Sequence, residues 1–279
     1  MKVAVTGATG FVGQHAVAAL LARGVEVVAA ARAPDRMSIT NERLTTVALD
    51  ISQADDAFAR LGRPDVLLHL AWGGLPNYRS QTHIENELPR QIAFLDGCAR
   101  AGLRRLVVTG TCLEYGMQPG CLEEERPSAA VTAYGQAKDR LRGHLQTLAS
   151  SGGPELTWLR LFYLYGPGQA PTSLYSQLLA AIASGASEFP MSPGDQQRDF
   201  LPIETAAAHI SALTLTAPGA GVVNICSGVP KTVAALVREW LRDRGAALQL
   251  KLGVYPYPDY EPMAFWGSTR KMNALLGTT

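Results

Sequence analysis

Short apolar runs alternate with longer segments of helical periodicity over the first 165 residues. The apolar runs, which we predict to be strands, cover residues 3–6, 26–31, 44–49, 66–70, 106–109 and 156–161. The segments with apolar positions at helical spacing cover residues 11–23, 55–61, 83–101 and 133–150. Almost wholly apolar strands that alternate with helices are typical of a parallel sheet covered on both faces. The pattern therefore predicts an α/β fold with a Rossmann-type, doubly wound parallel sheet.

The alternation of predicted strands and helices ends after about residue 165, at Gly166-Pro167-Gly168. A helix is predicted over 174–183, a polar loop over 192–198, and only short elements beyond. We therefore predict two domains. Residues 1–165 form the sheet domain, and residues 166–279 form a smaller lobe with some segments that return to the first domain. Five aromatic residues of this lobe suit the wall of a binding site, namely Tyr255, Tyr257, Tyr260, Phe265 and Trp266.

Composition narrows the classes of partner. The 279 residues are 47% hydrophobic and 18% charged, as in a compact enzyme, and 25 basic residues nearly balance 24 acidic ones. A chain with so little net charge has no broad electrostatic field that would attract nucleic acid or an anionic membrane surface. The apolar start of the chain is too short for a signal peptide, and no run reaches the roughly 18 apolar residues of a membrane span, so we expect a cytoplasmic protein. Four cysteines and five histidines show no ligand spacing, so we expect free thiols and no metal site.

Three glycines mark the junction of the first strand and the first helix. In the run Gly7-Ala8-Thr9-Gly10-Phe11-Val12-Gly13, Gly7 permits a tight turn and Gly10 allows backbone amides to approach a diphosphate. Gly13 lets the helix pack closely against the sheet, and the helix N-terminus attracts negative charge. The same glycines also occur in turns that hold no ligand, but their place at the first crossover of a doubly wound sheet favours a dinucleotide.

The end of the second strand indicates which dinucleotide. NAD-binding proteins usually carry an acidic residue there, which holds the ribose 2′-hydroxyl. Here Ala31 is followed by Arg32, which would attract a 2′-phosphate. We therefore predict NADP (NADPH) as the cofactor, while the alternative for Arg32 is a solvated surface charge.

A phenol and an ammonium lie four residues apart in Tyr134-Gly135-Gln136-Ala137-Lys138. At the start of a helix, both side chains project from the same face. An ammonium nearby favours the phenolate and lowers the pKa of a tyrosine from about 10, which makes it a better acid near neutrality. A surface pair at the same spacing is the plainer alternative.

Taken together, these motifs resemble the extended short-chain dehydrogenases, the family of sugar-nucleotide epimerases, dehydratases and reductases. The resemblance rests on further landmarks in the same order along nearly the whole chain: Asp50, His69-Leu70-Ala71, Thr109-Gly110-Thr111, the segment 160–167, Arg198-Asp199-Phe200 and the segment 223–228.

The resemblance implies a role for each matching residue. The catalytic residues would be Tyr134 as acid or base, Lys138 as the partner that holds the nicotinamide ribose, and Thr111 as the hydrogen-bond partner of the reacting oxygen. The residues that bind the cofactor would be Gly7, Thr9, Gly10, Phe11, Val12, Arg32, Asp50, Ile51, Leu70, Ala71, Thr109, Tyr134, Lys138, Leu161 and Phe162.

Substrate contacts are implied for Thr111, Tyr163 and Arg198, where Arg198 would grip the diphosphate of a nucleotide sugar. The alternative for Arg198 is an ion pair with Asp195 or Asp199. Asn86 matches an asparagine that we interpret as structural. The predicted helices over 83–101 and 133–150 match those that pair across a two-fold axis in relatives, which implies a homodimer.

The two residues directly after Thr111 narrow the reaction. Relatives that eliminate water carry an acidic pair there, whereas this chain has Cys112-Leu113, so dehydration is disfavoured. With NADPH as the predicted cofactor, we expect a 4-ketoreductase that converts an NDP-4-keto-6-deoxysugar into an NDP-6-deoxysugar. The alternatives are an NDP-sugar epimerase with tightly bound NAD(P) and a non-catalytic NADP-binding regulator.

Overall fold

Within residues 1–53 and 55–278, which the computed structural model describes, fourteen strands and eight α-helices follow one another. In chain order the strands are β1 (Lys2–Thr6), β2 (Glu26–Ala31), β3 (Leu44–Ala48), β4 (Val66–His69), β5 (Arg105–Thr111), β6 (Gly120–Leu122), β7 (Glu155–Leu161), β8 (Tyr163–Tyr165), β9 (Glu188–Pro190), β10 (Gln197–Pro202), β11 (Gly221–Ile225), β12 (Pro230–Thr232), β13 (Gln249–Lys251) and β14 (Phe265–Gly267). The helices are α1 (Phe11–Ala22), α2 (Ala57–Arg60), α3 (Leu88–Arg100), α4 (Ala133–Ser150), α5 (Leu174–Ala183), α6 (Ile203–Thr216), α7 (Val233–Asp243) and α8 (Arg270–Leu276).

Seven parallel strands form the main sheet in the order β11-β7-β5-β4-β1-β2-β3. The strand order reverses at β1, whose neighbours are β2 on one side and β4 on the other. In open α/β sheets, ligands bind in the crevice beyond the carboxyl ends of the strands at such a reversal. The predicted Rossmann-type fold is confirmed.

Each face of this sheet is covered by helices, because successive side chains of a strand point to opposite sides. On one face, Val3 and Val5 of β1 join a buried cluster with residues of α1, α6 and α8. On the other, Ala4 of the same strand joins a cluster with residues of α2, α3 and α4. Both layers shield the inner strands, which explains why their runs are apolar, whereas β3 at the sheet edge is partly exposed.

A second, smaller core lies in the later part of the chain. It is built around Tyr175, Phe189 and Trp240, with α5 and α7 packed against short strands. The sheets here are small: β12-β10-β8 has three strands and β13-β9 has two. Two later segments lie against the main sheet instead, since β11 pairs with β7 and α6 packs on α1.

The sequence-based prediction for this later part was wrong in two respects. It allowed only short elements after residue 183, whereas α6 has 14 residues and α7 has 11. The predicted polar loop over 192–198 is also shorter, because β10 begins at Gln197. The physical reason is tertiary, since these segments become regular by packing against α1 and the smaller core.

Across residues 1–53 and 55–278, no helix combines the length and the apolar character needed to cross a membrane. The four cysteines form no disulfide, and three of them are buried while Cys121 is exposed. In the same described part of the chain, no three His, Cys, Asp or Glu side chains gather as a metal site would require.

Candidate functional site

The glycine turn after β1 is shaped by close backbone contacts. Gly7 has a φ of +69°, and a Cβ there would lie 2.8 Å from the backbone nitrogen of Ala71. A Cβ on Gly13 would overlap the carbonyl oxygen of Gly7. Side chains at these two positions are therefore excluded, and β1, α1 and the end of β4 meet closely at the strand-order reversal.

The N-terminus of α1 is open to a ligand. Its N-cap residue is Gly10, which is exposed and makes no side-chain cap. A Cβ on Gly10 would meet only the carbonyl oxygen of Gly7, at 3.1 Å, within a 4 Å sphere. Free amides at a helix N-terminus attract phosphate, so the residues of this turn fit a dinucleotide diphosphate.

The other residues predicted to bind the cofactor lie along the same edge of the sheet. They follow the carboxyl ends of neighbouring strands, namely Arg32 after β2, Asp50 and Ile51 after β3, Leu70 and Ala71 after β4, Thr109 near the end of β5, and Leu161 and Phe162 at the end of β7. Thr9, Phe11 and Val12 lie in the glycine turn and the first turn of α1. The structure thus brings the predicted set to one edge of the main sheet.

Arg32 is exposed directly after β2, and Asp50 lies after the adjacent strand. Hydrogen bonds from the backbone and hydroxyl of Ser52 lower the pKa of Asp50, and the charges of Arg32 and Arg90 add to that effect. Arg32 therefore offers a cation at the place where the second strand ends.

Tyr134 and Lys138 lie in the first two turns of α4, both buried. The ammonium of Lys138 donates a hydrogen bond to the carbonyl oxygen of Thr109 at 2.8 Å. The same ammonium lies 6.0 Å from the ring centroid of Tyr134. Helical spacing places the two side chains on one face, as the sequence predicted, and the Thr109 contact anchors that face to the end of β5.

Thr111 lies at the end of β5, and the turn that follows it packs against α4, the helix that carries Tyr134 and Lys138. A Cβ on Gly135 would lie only 2.8 Å from the carbonyl oxygen of Leu113. The hydroxyl of Thr111 accepts a hydrogen bond from the Leu113 amide at 3.3 Å. Among the described residues it donates to no protein acceptor, so its proton is available to a ligand.

Electrostatics at Tyr134 differ from the expectation. The sequence predicted that Lys138 lowers the pKa of this phenol, whereas burial raises it, with smaller contributions from Tyr78, Glu114 and Cys112. Burial also lowers the pKa of Lys138 to about 7, against the opposing effect of Glu114 and Glu87. The expectation was wrong because removal from water disfavours both charged forms more strongly than the pair can favour them. Tyr134 therefore stays protonated near neutrality, as a proton donor must.

Cys112 cannot replace the acid that dehydratases carry after the active-site threonine. Burial raises the pKa of its thiol, and the nearby carboxylate of Glu261 raises it further. A thiol that keeps its proton and lies away from water is a poor acid and a poor base near neutrality.

Arg198 is paired, but with neither of the partners that the sequence suggested. Its guanidinium binds Glu261 Oε2 at 2.9 and 3.2 Å, and it stacks over the Phe265 ring at 4.7 Å. Glu261 also accepts a hydrogen bond from the Tyr163 hydroxyl. Asp199 instead accepts hydrogen bonds from Ser227, Gly228 and Gly267. The correction has a tertiary cause, because Glu261 is 63 residues from Arg198 and no local pattern links them.

Sequence reasoning also missed the aromatic residues that surround Tyr134. The rings of Trp72, Tyr78 and His83 lie with centroids 5.7, 5.6 and 5.3 Å from the Tyr134 ring. Trp72 directly follows the recognised His69-Leu70-Ala71, so its position along the chain was a usable signal. The loop carrying Tyr78 contacts the C-terminal segment near Tyr134, through Tyr260 and an Arg79–Asp259 ion pair.

Several known proteins are similar to this chain in sequence and in fold. A family model described as the NAD dependent epimerase/dehydratase family matches residues 3–226. The chain is 29% identical to the dTDP-6-deoxy-L-talose 4-dehydrogenase (NAD(+)) of Aggregatibacter actinomycetemcomitans, over 96% of this chain and 100% of that protein. It is 32% identical to the dTDP-6-deoxy-L-talose 4-dehydrogenase (NAD(P)(+)) of Kitasatospora kifunensis, over 92% and 83%. Among solved structures, MoeE5 in complex with UDP-glucuronic acid and NAD superposes with a TM-score of 0.82 at 27% identity, covering 100% of this chain and 93% of that one.

Proposed function

Because this chain belongs to the NAD dependent epimerase/dehydratase family, we propose that it is an NADPH-dependent 4-ketoreductase of a sugar nucleotide. It reduces an NDP-4-keto-6-deoxysugar to the corresponding NDP-6-deoxysugar. The observation that carries the proposal is the buried Tyr134–Lys138 pair, anchored on Thr109 at the sheet edge that also carries the glycine turn.

The substrate class is supported by two relatives whose names specify a 4-dehydrogenase of dTDP-6-deoxy-L-talose. A 4-dehydrogenase and a 4-ketoreductase catalyse the same couple in opposite directions. We therefore propose dTDP as the nucleotide and a 6-deoxyhexose as the sugar. The relatives are named for NAD(+) and for NAD(P)(+), and the exposed Arg32 after β2 favours the phosphorylated cofactor here.

The glycine turn and the N-terminus of α1 would hold the diphosphate of the cofactor, and Arg32 would bind its 2′-phosphate. Asp50 and Ile51 would flank the adenine, Leu161 and Phe162 would line the nicotinamide, and Lys138 would bind the ribose beside it. When bound, NADPH supplies the hydride for the carbonyl carbon of the sugar.

Tyr134 supplies the proton to the carbonyl oxygen, and its raised pKa keeps that proton in place until it is needed. Thr111 donates its free hydroxyl proton to the same oxygen and so positions it. With Cys112 and Leu113 after Thr111, no residue pair is available there for elimination of water. Arg198 would bind the substrate diphosphate once Glu261 releases it, and Tyr163 would face the sugar.

The direct test combines pure protein, NADPH and a dTDP-4-keto-6-deoxyhexose while the absorbance of the reduced nicotinamide is followed. We expect stoichiometric oxidation of NADPH and an NDP-6-deoxysugar whose C4 hydroxyl is identified by NMR. A sugar that changes configuration with no net change of cofactor would instead establish an epimerase. If the protein bound NADP tightly but turned over no keto sugar in a broad panel, the result would support the alternative of a non-catalytic NADP-binding regulator.

We also propose a homodimer through α3 and α4, which pack on one another within the subunit through contacts such as His144–Asp96 at 2.7 Å. Sedimentation equilibrium measures the mass directly. A species of one chain across the concentrations used for assay would exclude this assembly.

A further inference from the structure

The loop that follows β4 carries an indole ring onto the proposed catalytic pair. The Trp72 ring lies with its centroid 4.0 Å from Lys138 Nζ. It meets the Tyr134 ring nearly edge-on, at 5.7 Å and 70°. The roles assigned above leave both contacts unexplained.

We propose that Trp72 is a positioning residue, which keeps the Lys138 ammonium charged and held beside Tyr134 by contact with the face of its ring. This inference rests on the proposed function only in that Lys138 and Tyr134 are the pair that acts on substrate. The contact itself is a property of the protein.

Three hydrogen bonds fix the indole over Lys138. The carbonyl oxygen before it, on Ala71, accepts from Gln91 Nε2 at 3.0 Å. The amide after it, on Gly73, donates to Glu87 Oε1 at 2.9 Å. The indole N–H donates to His83 Nδ1 at 3.2 Å. The indole N–H and the backbone on both sides of Trp72 are thus all held by α3 and the turn before it, which fixes the ring face over Lys138 Nζ.

The two residues that pair with the Gly73 amide and with the indole come from one unusual turn. His83 and Glu87 open and close a π-helical turn, His83–Glu87, directly before α3. Because His83 Nδ1 accepts from the indole, Nε2 carries the proton and donates to the carbonyl oxygen of Asn77 at 2.9 Å. Single π-helical turns occur often at functional sites, where they displace side chains from regular helical positions.

Lys138 needs such support because it is buried. One of its protons binds the carbonyl oxygen of Thr109, and burial lowers the pKa of its ammonium to about 7. The ionisable groups around it are Glu87 from the π-helical turn, Glu114 from the turn after β5, His69 from β4, and Tyr134 from α4 itself. The electron-rich face of an indole favours a cation more strongly than the smaller ring of Phe does.

Removal of the ring should therefore move the ionisation of Lys138 toward acid pH. A desolvated cation–π contact corresponds to a shift of about one pH unit, so Trp72→Leu should lower the pKa of Lys138 by about that amount. Trp72→Phe, which keeps a weaker ring face, should give a smaller shift in the same direction.

The test has one readout that needs no turnover. The chain has five lysines, so ε-¹³C-lysine labelling gives few NMR signals, and Lys138→Arg identifies the signal of Lys138. We expect its pKa to fall in the order wild type, Trp72→Phe, Trp72→Leu. Equal pKa values in wild type and Trp72→Phe would overturn the inference even if Trp72→Leu failed to fold.

The second readout is the pH profile of kcat/KM in the ketoreductase assay. Since the proposed activity requires the Lys138 cation, the alkaline limb of this profile should shift to lower pH in the same order. The Kd for NADPH should stay unchanged when it is measured at a pH where Lys138 is charged in every variant. If kcat fell in the variants while the alkaline limb of the pH profile stayed at the same pH, Trp72 would contribute only packing and the proposal would be overturned. If the wild-type protein turned over no keto sugar, but the pKa of Lys138 still fell in the order wild type, Trp72→Phe, Trp72→Leu, the proposed function alone would be overturned.

Discussion

The ionisation of Tyr134 and Lys138 depends on the packing around each side chain. The spacing of Tyr134 and Lys138 predicts a shared helical face, which the structure has, but burial decides how each group ionises. Burial keeps the phenol protonated near neutrality but makes it a weaker acid, whereas the ammonium, with a pKa of about 7, exchanges its proton in that range.

Replacement of Tyr134 by Phe should remove the proton donor and keep the ring contacts with Trp72, Tyr78 and His83. We expect kcat to fall by about 10²–10⁴, the usual contribution of general acid catalysis. The Kd for NADPH, measured by fluorescence titration, should stay within a few-fold of wild type. Tyr175→Phe is the control, because it removes a phenol hydroxyl that pairs with Arg244 in the smaller core. Turnover by Tyr134→Phe at the wild-type rate would end the assignment.

Arg32→Ala should separate the two nicotinamide cofactors. A charge-assisted hydrogen bond to the 2′-phosphate would be lost, so the Kd for NADPH should rise about tenfold or more while that for NADH changes little. Arg238→Ala removes the same charge from an exposed position on α7 and serves as the control. Equal losses for both cofactors would remove the case for NADP.

At the scale of elements, the end of β5 is joined to β7 and α4 by one buried carboxylate. Glu114 accepts hydrogen bonds from the Thr111 amide at 2.9 Å, from the Trp158 indole at 3.0 Å and from Arg160 Nε at 2.7 Å. Arg142 of α4 approaches it at 3.8 Å. Gly110 is required beside it, since a Cβ there would overlap Trp158 Nε1 and Glu114 Oε1. This carboxylate fixes the backbone of Thr111, the residue whose hydroxyl we propose to bind the substrate oxygen.

Glu114→Ala should therefore strongly destabilise the fold. The side chain of Arg160 is 2% exposed and would keep its charge without its carboxylate partner, a loss that typically costs about 3–5 kcal/mol. Urea unfolding measures the change in the free energy of unfolding.

The matched control is Glu239→Ala, which breaks the half-exposed Lys231–Glu239 pair on the smaller lobe. That change should cost about 1 kcal/mol or less. If the two variants lost equal stability, the buried network would not be the reason.

At the scale of the whole molecule, the site is closed by segments far apart in sequence. Tyr78 and Arg79, from the loop after β4, meet Tyr260 and Asp259 of the C-terminal segment. The next residue, Glu261, neutralises Arg198 at the start of β10. A substrate diphosphate that binds Arg198 must therefore compete with a carboxylate of the protein.

Glu261→Gln should remove this competition. Because a hydrogen bond to a charged group contributes about 1.5–3 kcal/mol, we expect dTDP to bind about tenfold more tightly, as measured by calorimetry. Glu239→Gln, a like substitution in an ion pair of the same lobe, should leave the affinity unchanged. Weaker binding by Glu261→Gln would show that the carboxylate orients Arg198 for the ligand instead of competing with it.

The sequence by itself determined the sheet domain and the chemistry along its edge. Apolar runs bounded by turns predict the first six strands of the main sheet, because strands buried on both faces leave little choice of residue. The glycine turn, Tyr134 and Lys138 are recognisable because each depends on spacing of only a few residues. The seventh strand of the sheet, β11, was recognised only as the landmark segment 223–228. Its local sequence does not indicate that it returns to pair with β7.

Only the tertiary structure decided how that chemistry is tuned. The contacts of Glu261 with Arg198, of Trp72 with Lys138 and of Glu114 with Arg160 join residues between 46 and 66 positions apart, and no periodicity records them. The pKa values of Tyr134 and Lys138 depend on burial, which is a property of the packed molecule. Local spacing can place two groups on one face of a helix, but the water that they lose is set by everything that packs over them.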